Sequence, residues 1–492
     1  MKRYITLLLL AAMAAQLAAC GGDAPAADTT AGDSAAADTT AAEVSEYVNP
    51  GVDYGGKTVT VAAHHYESEW KIDAYFLTAE EENGDVINDA IVKSRRAVEE
   101  TLNVKFELMP LDIKARTDPA PLTKFILAGE DAFQISILRT AALPGMLATP
   151  SMVVDLNEID TLDLSHSWWD QNSRAEYELY GRQFAVVGDM CFFTNGAPIV
   201  TYFNKTIVEN LKLDNPYQLV YDGKWTLDKM IKMSEEASMD LNGDSQISFE
   251  DRFGFAGEQS SMGYMLAGAE VRFSEKGKDG TPALVLNNER TASVTEKLKT
   301  FFRNDTTTVL DGKTRYNSVY KSVYSEYMVP TFMDNRILFL SNQLLVALDL
   351  REMEADFGII PPPKYDEAQK NYHSSSNRAW CDNVMIPATN TDLDMTGHVL
   401  DALSYQYQQN VTPAFIDQTV LGKSVRDEDS AKMIEIIREN LVYDVAIMFN
   451  WGSIVNKIND LSLKSDQNFA SQYASVESSV TAAMTKTLDE FK

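Results

Sequence analysis

Between Lys57 and Leu138 the chain repeats one pattern, a short β-branched run followed by an amphipathic stretch with helical spacing. Lys57–Ala63 (KTVTVAA), Val104–Leu108 and Phe133–Leu138 (FQISIL) read as strands, with helices at Asp85–Leu102 and Leu122–Ala128 between them. This alternation restricts the fold to the α/β class, because strands joined by helices pair in parallel and the helices cover both faces. Ligands of such sheets sit at the carboxyl ends of the strands. His65 and Tyr66 after the first strand, and Arg139 and Thr140 after the third, are therefore the first binding-site candidates.

The pattern continues downstream. Phe184–Asp189 and Ile199–Phe203 read as strands, the second leading into Asn204-Lys205 and a helix. At Lys224-Trp225-Thr226-Leu227-Asp228 a helix starts. Thr226 is its cap, Asp228 suits its positive end, and Met230, Met233 and Ala237 face inward. Arg252–Phe255 returns as a strand, and 284–304 and 322–336 are helix-rich. Ile337–Leu340 and Phe357–Ile360 are strands, the second stopped by Pro361-Pro362-Pro363. Asp392–Tyr405 and Asp429–Asn440 are amphipathic helices, and the chain from Asp466 is helical and polar.

The first twenty residues carry a different signal. Lys2-Arg3 precedes an apolar run from Ile5 to Ala15, which has the form of a secretory signal and is short for a membrane span. It ends in Leu17-Ala18-Ala19-Cys20-Gly21, which resembles the bacterial lipobox. Residues 1–19 are thus expected to be a lipoprotein signal peptide. Acylation of Cys20 would hold the protein on the extracellular face of the cytoplasmic membrane. Residues 20–48, with AADTT twice, contain too little apolar surface to offset ordering entropy and read as a disordered tether.

The chain is 492 residues long and 45% hydrophobic, enough for two or three domains with sizeable cores. Its 43 Lys+Arg against 72 Asp+Glu give a net charge of −29. Such a surface argues against nucleic acid and against charge-driven binding to anionic lipid. Cys191 and Cys381 lack metal-ligand spacing, and either pair or remain buried thiols.

Asp240–Asp251 (DLNGDSQISFED) places Asp240, Asn242, Asp244 and Asp251 at the first, third, fifth and twelfth positions of a twelve-residue window. A hard cation such as Ca2+ takes oxygen ligands at this spacing, with the Gln246 carbonyl at the seventh position and Ser248 acting through water at the ninth. Two departures separate it from the EF-hand. Ser245 occupies the sixth position, where a left-handed backbone costs about 1–2 kcal/mol, and the last ligand is Asp. The spacing is closer to a dockerin-type loop. The alternative is a solvated Asn-Gly turn.

Taken in order, Tyr202-Phe203-Asn204-Lys205, Asn215-Pro216-Tyr217 and Gly223-Lys224-Trp225-Thr226 leading into DLNGD resemble the extracellular solute-binding proteins of family 1. These are the capture subunits of ATP-binding-cassette importers for carbohydrates, here in the lipoprotein form common in anaerobic Gram-positive gut bacteria. Asp356–Pro361, continuing to Pro363-Lys364-Tyr365, is similar to the family segment that recrosses the hinge, and Val384–Thr389 to the strand after it. The resemblance runs from the signal to about Trp451. It implies a two-lobed periplasmic-binding-protein-like fold of type II, each lobe a mainly parallel sheet flanked by helices, with ligand bound between the lobes. Lobe one would be 56–188 plus 357–400, and lobe two 189–356 plus 401–492. It further implies a structural Ca2+ in lobe two remote from the ligand, a membrane permease as partner, and a monomer.

Sugars present an apolar ring face and a hydroxyl edge, so a site for them combines aromatic platforms with carboxylates, amides or Arg. Trp380 and Trp451 are the aromatic candidates, beside His65, Tyr66 and Arg139. Trp225 is assigned to the core, as is one of Trp168 and Trp169. The chain has no G-x-S-x-G, H-E-x-x-H or G-x-x-x-x-G-K-[ST] motif. His64 and His65, adjacent on a strand, point to opposite faces. The reading is a binder and not an enzyme. Its rivals are a glycosidase, a receptor for peptide or polyol, and an adhesin or sensor lipoprotein.

Overall fold

The structure, a computed structural model, describes residues 45–64, 81–112, 114, 117–416, 428–464 and 466–492. The expected signal peptide, Cys20, most of the tether, His65 and Tyr66 lie outside the described residues. The folded part begins slightly before the expected end of the tether. Tyr47 stacks on Tyr405 with ring centroids 5.0 Å apart and meets Trp168 edge-on at 6.4 Å.

In chain order the strands are Lys57–His64 (β1), Val104–Leu111 (β2), Ile135–Arg139 (β3), Ile199–Asn204 (β4), Phe253–Gly257 (β5), Ser274–Lys276 (β6) and Pro282–Leu284 (β7). They continue with Thr308–Leu310 (β8), Ile337–Gln343 (β9), Phe357–Ile360 (β10), Ser374–Ser375 (β11), Asp382–Met385 (β12) and Leu441–Val442 (β13). One sheet has the order β12-β3-β1-β2 and the other β10-β4-β9-β5-β8. β1, β2 and β3 run parallel, as the alternation of strands and helices requires, and β12 joins antiparallel. The second sheet is mixed. β5 pairs parallel with β8 and β9, while β4 pairs antiparallel with β9 and β10. Pro110 is tolerated in β2 because that strand forms the sheet edge.

Local chemistry sets the helices. Asp85 caps Val86–Leu102 by accepting from the Ile87 and Asn88 N–H groups, and Ile87, Ile91, Val98 and Leu102 are buried. Thr226 caps Leu227–Ala237 through the Lys229 N–H, and Met230, Met233 and Ala237 are buried, as the sequence indicates. This helix rides close to β5. A Cβ on Gly254 would stand 2.0 Å from the Ser234 carbonyl oxygen, so only glycine admits the approach. Among the described residues no helix is long and apolar enough to cross a membrane.

Three segments depart from the sequence reading. Phe184–Asp189 makes no ladder. Val186 pairs singly with Val384 and Gly188 with Trp169, so the segment is pinned from two sides and joins neither sheet. The stretch 284–304 begins as β7, paired with β6, and turns helical only at Glu289, where Asn288 caps the helix by accepting from the Thr291 N–H. Within 322–336 the chain takes a π-turn at Tyr324–Met328 before the Val329–Met333 helix. Pro330 lacks the N–H that would close a regular turn there.

Candidate functional site

The carboxyl edge of the first sheet is built around Arg139, the last residue of β3. Asp382 of β12 is its direct strand partner, and the two make an ion pair of 3.0 Å with side chains 0% and 6% exposed. The guanidinium also donates to the Trp380 carbonyl at 2.8 Å, and it lies 4.5 Å from the Phe193 ring centroid and 5.2 Å from that of Trp380. Thr140 is fixed beside it by donating to the Cys381 carbonyl through its N–H, 2.8 Å, and its hydroxyl, 3.2 Å.

The segment before β12 ties the two sheets together. Asn377 accepts from the Trp380 N–H at 2.8 Å, and its own N–H donates to the Ala197 carbonyl at 2.9 Å. Its amide donates to Gln343, the last residue of β9, at 3.1 Å. Trp380, partly exposed, is thus held between the strand ends of both sheets.

On the second sheet the carboxyl ends of β5, β8 and β9 bring together Glu258, Gln259, Ser260, Asp311 and Asn342. Ser260 donates to Glu258 at 2.8 Å, and the Gln259 N–H donates to Asp311 at 2.6 Å. Burial, and then the neighbouring Asp311, push the Glu258 carboxyl up to about 7. Burial likewise raises Asp311, against the N–H groups of Gln259 and Gly312. Tyr264, on the Ser261–Gly268 helix, is raised by burial and by Glu258. Tyr324 donates to Asp349 and is raised by burial and by that carboxylate. Carboxyl groups, amides and hydroxyls beside the partly exposed Tyr264 and Tyr324 rings can accept from and donate to hydroxyls, and the partly exposed Trp380 ring, tied to this sheet through Asn377 and Gln343, can cover an apolar ring face.

The candidates named from sequence fall in different places. Arg139 and Trp380 are in contact, at the edge where strand-end logic puts them. Trp451 lies elsewhere. It is 3% exposed, stacked on Phe449 with centroids 5.3 Å apart and planes 4° from parallel, and it donates to Thr487 of the C-terminal helix. That placement makes it a packing residue. Trp225 is fully buried and donates to the Pro361 carbonyl at 2.9 Å, in keeping with its core assignment. Trp168 and Trp169 are both buried, where the sequence reading assigned one of them to packing. Glu258, Asp311, Tyr324 and Asp349 escaped that reading. The signal for Glu258 was present, since β5 runs to Gly257 and not to Phe255, and the strand-end rule applied there points to it.

The Asp240–Asp251 loop folds inward on its own N–H groups. Asp240 accepts from Gly243 and Ser245 at 2.7 Å each, Asn242 from Asp244 at 2.9 Å, and Asp244 from Gln246 at 2.8 Å. Burial pushes the Asp251 carboxyl up, but the Ser248 and Leu241 N–H groups outweigh it and hold it below the ordinary value. Ser245 has φ +64, the left-handed turn that the sixth position requires. The donor set is all oxygen and suits a hard cation. Among the described residues, however, no three His, Cys, Asp or Glu side chains converge as a metal cluster. A cation there would depend on Asn242, the Gln246 carbonyl and Ser248 as much as on the carboxylates.

No family model and no curated protein matches the chain. Solved structures do. An ABC substrate-binding protein of Listeria monocytogenes in complex with cycloalternan is 12% identical, with 87% of this chain covering 99% of that one at a TM-score of 0.55. An open-conformation sugar transporter of Rhizobium etli is 12% identical over 88% and 98% of the two chains, TM-score 0.57. The maltose/maltodextrin-binding domain MalE of Bdellovibrio bacteriovorus bound to maltotriose is 13% identical over 88% and 98%, TM-score 0.51. The chain has the α/β fold of the solute-binding proteins. At these identities the likeness establishes the architecture, and this chain spans nearly the full length of each match.

Proposed function

We propose that this chain is a solute receptor that captures a sugar or oligosaccharide between two lobes and delivers it to an ABC-type permease, without catalysing a reaction. The observation that carries the reading is the tie of the Trp380 segment, through Asn377, to Gln343 at the end of β9, whose neighbour Asn342 borders the Glu258 and Asp311 group at the strand ends of the second sheet. One edge offers an aromatic face and the other a set of hydroxyl partners. Sugar-binding proteins of the same fold support the substrate class. The lobes would be 56–188 plus 357–400 and 189–356 plus 401–492, closing by hinge rotation over the ligand. Acylated Cys20 would anchor a monomeric receptor to the membrane through the tether, and the Asp240–Asp251 loop would hold a structural Ca2+ away from the ligand.

Binding of the full chain to an immobilised array of neutral mono- and oligosaccharides, with peptides and polyols alongside, tests the substrate class. Retention on one glycan family supports it. Retention on peptides or polyols alone transfers the scaffold to another solute.

A further inference from the structure

A cavity of about 130 Å³ lies between the Trp168–Asp170 and Val187–Asp189 stretches on one side and Arg438 and Tyr443 on the other. One wall carries Asp170 and Asp189, held together by the Asp170 N–H donating to the Val187 carbonyl at 2.8 Å and the Asp189 N–H to the Trp168 carbonyl at 2.9 Å. The other carries Arg438, at the end of the Glu428–Glu439 helix that packs on β10, and Tyr443 just after β13. The walls are joined by polar contacts. Tyr443 donates to Asp170 at 3.1 Å, and Arg438 donates to Asn195 at 3.1 Å. Asn195 donates to Thr412 at 3.2 Å, and Thr412 donates to Asp189 at 2.7 Å. Gln408 donates to the other Asp189 oxygen at 3.3 Å.

Two carboxylates therefore share one cavity with one nearby cation. We propose that joining of the two bodies across this cavity takes up a proton at the Asp170–Asp189 pair, so that closure is favoured by mild acid. The inference rests on the reading of the chain as a hinge-closing receptor in which Asp189, the first residue past the 188/189 crossing, stays with the wall to which its N–H is bonded through the Trp168 carbonyl. In the joined state burial raises both carboxyl groups, with the Arg438 charge opposing it and Asp170 further raising Asp189. Tyr443, Tyr177, Cys191 and Cys381 are the remaining titratable groups that sense the pair, and all four are held neutral by burial. When the walls part, water returns to the carboxylates and their proton affinity drops to the ordinary value. The joined state thus binds more protons on the acid side of neutrality, and linkage makes acid favour it. Ionised, the pair would favour the parted state.

Cys191 lines this cavity and Cys381 is buried nearby, which gives a readout that needs no sugar. The full chain is labelled with a disulfide-exchange thiol reagent at about pH 7.5 and about pH 5. Labelling at each cysteine is resolved by mass spectrometry and normalised to the denatured chain at the same pH. The expected result is a severalfold gain in protection of Cys191 relative to Cys381 at the lower pH, abolished in the Asp170→Asn/Asp189→Asn double variant. Asparagine keeps an acceptor for the Tyr443 and Thr412 donors, and protection of Cys381 reports whether the variant is folded. Equal Cys191 protection at both pH values, or a pH response that survives in the folded double variant, overturns the proposal. Failure of sugar binding on the array leaves this readout untouched, so the two ideas fail separately. A double variant that does not fold is replaced by the single Asp189→Asn change, which must at least halve the response.

Discussion

Arg139 and Asp382 face one another across adjacent antiparallel strands, 3.0 Å apart and almost without solvent contact. An arginine at a strand end reads from sequence as a hand held out to a ligand. Here its charge is neutralised within the sheet, and what it presents is its neighbour, the Trp380 ring. Breaking a buried pair by removing one partner costs about 3–5 kcal/mol. Asp382→Ala should lower the stability of the described domain by that order in urea unfolding. A change within error would mean the pair is not maintained in solution.

Trp380 is held by its backbone to Asn377 and Arg139 while its side chain stays partly exposed. Its loss should weaken sugar binding far more than folding. Trp380→Ala is expected to raise the dissociation constant for any sugar the protein binds by about tenfold or more, with a small change in melting temperature. Trp451→Ala should do the reverse, costing about 3–5 kcal/mol of stability for a buried Trp. Calorimetric titration and melting of both variants separate the roles.

How much of this was legible in the sequence follows from how local each signal is. β10 begins and ends where expected, because Pro361-Pro362-Pro363 forbids continuation. The Thr226 cap was legible for the same reason, since a cap is a contact over two or three residues. Phe184–Asp189 has the composition of a strand, yet its pairing depends on Trp169 and Val384, distant in the chain, and no local pattern reports that. The site divides likewise. The position of Arg139 at a strand end was legible from β3 alone, whereas Glu258 and Asp311 come together only because β5 and β8 pair. Trp451 shows the limit of residue type as a guide, for a large aromatic is as useful to a core as to a sugar.

Glu258 gives a pH signature. Its carboxyl is raised in the folded chain to about 7. The proton is therefore bound more tightly in the folded state, and its contribution to stability is complete below the unfolded value and lost as pH rises through about 7. Glu258→Gln should flatten that part of the stability profile in urea melts collected from about pH 4 to about pH 8. A variant whose profile keeps the wild-type fall would place the titration elsewhere.

The Asp240–Asp251 loop allows two linked tests. Ser245 sits at φ +64, so Ser245→Gly should relieve about 1 kcal/mol of backbone strain and raise the melting temperature. Chelation should lower it if the loop holds Ca2+, and Asp240→Ala should remove the response to chelator. A melting temperature indifferent to both Ca2+ and chelator would leave the loop as a solvated turn.

The most direct test of the central claim is a thermal-shift screen of the full chain, in Ca2+, against neutral oligosaccharides, monosaccharides and peptides. A ligand at about 100 times its dissociation constant adds roughly 2.7 kcal/mol to the native state. The account predicts an upward shift with one family of glycans, reduced in Trp380→Ala. A shift with peptides alone, or a glycan shift as large in Trp380→Ala as in the wild type, would contradict it.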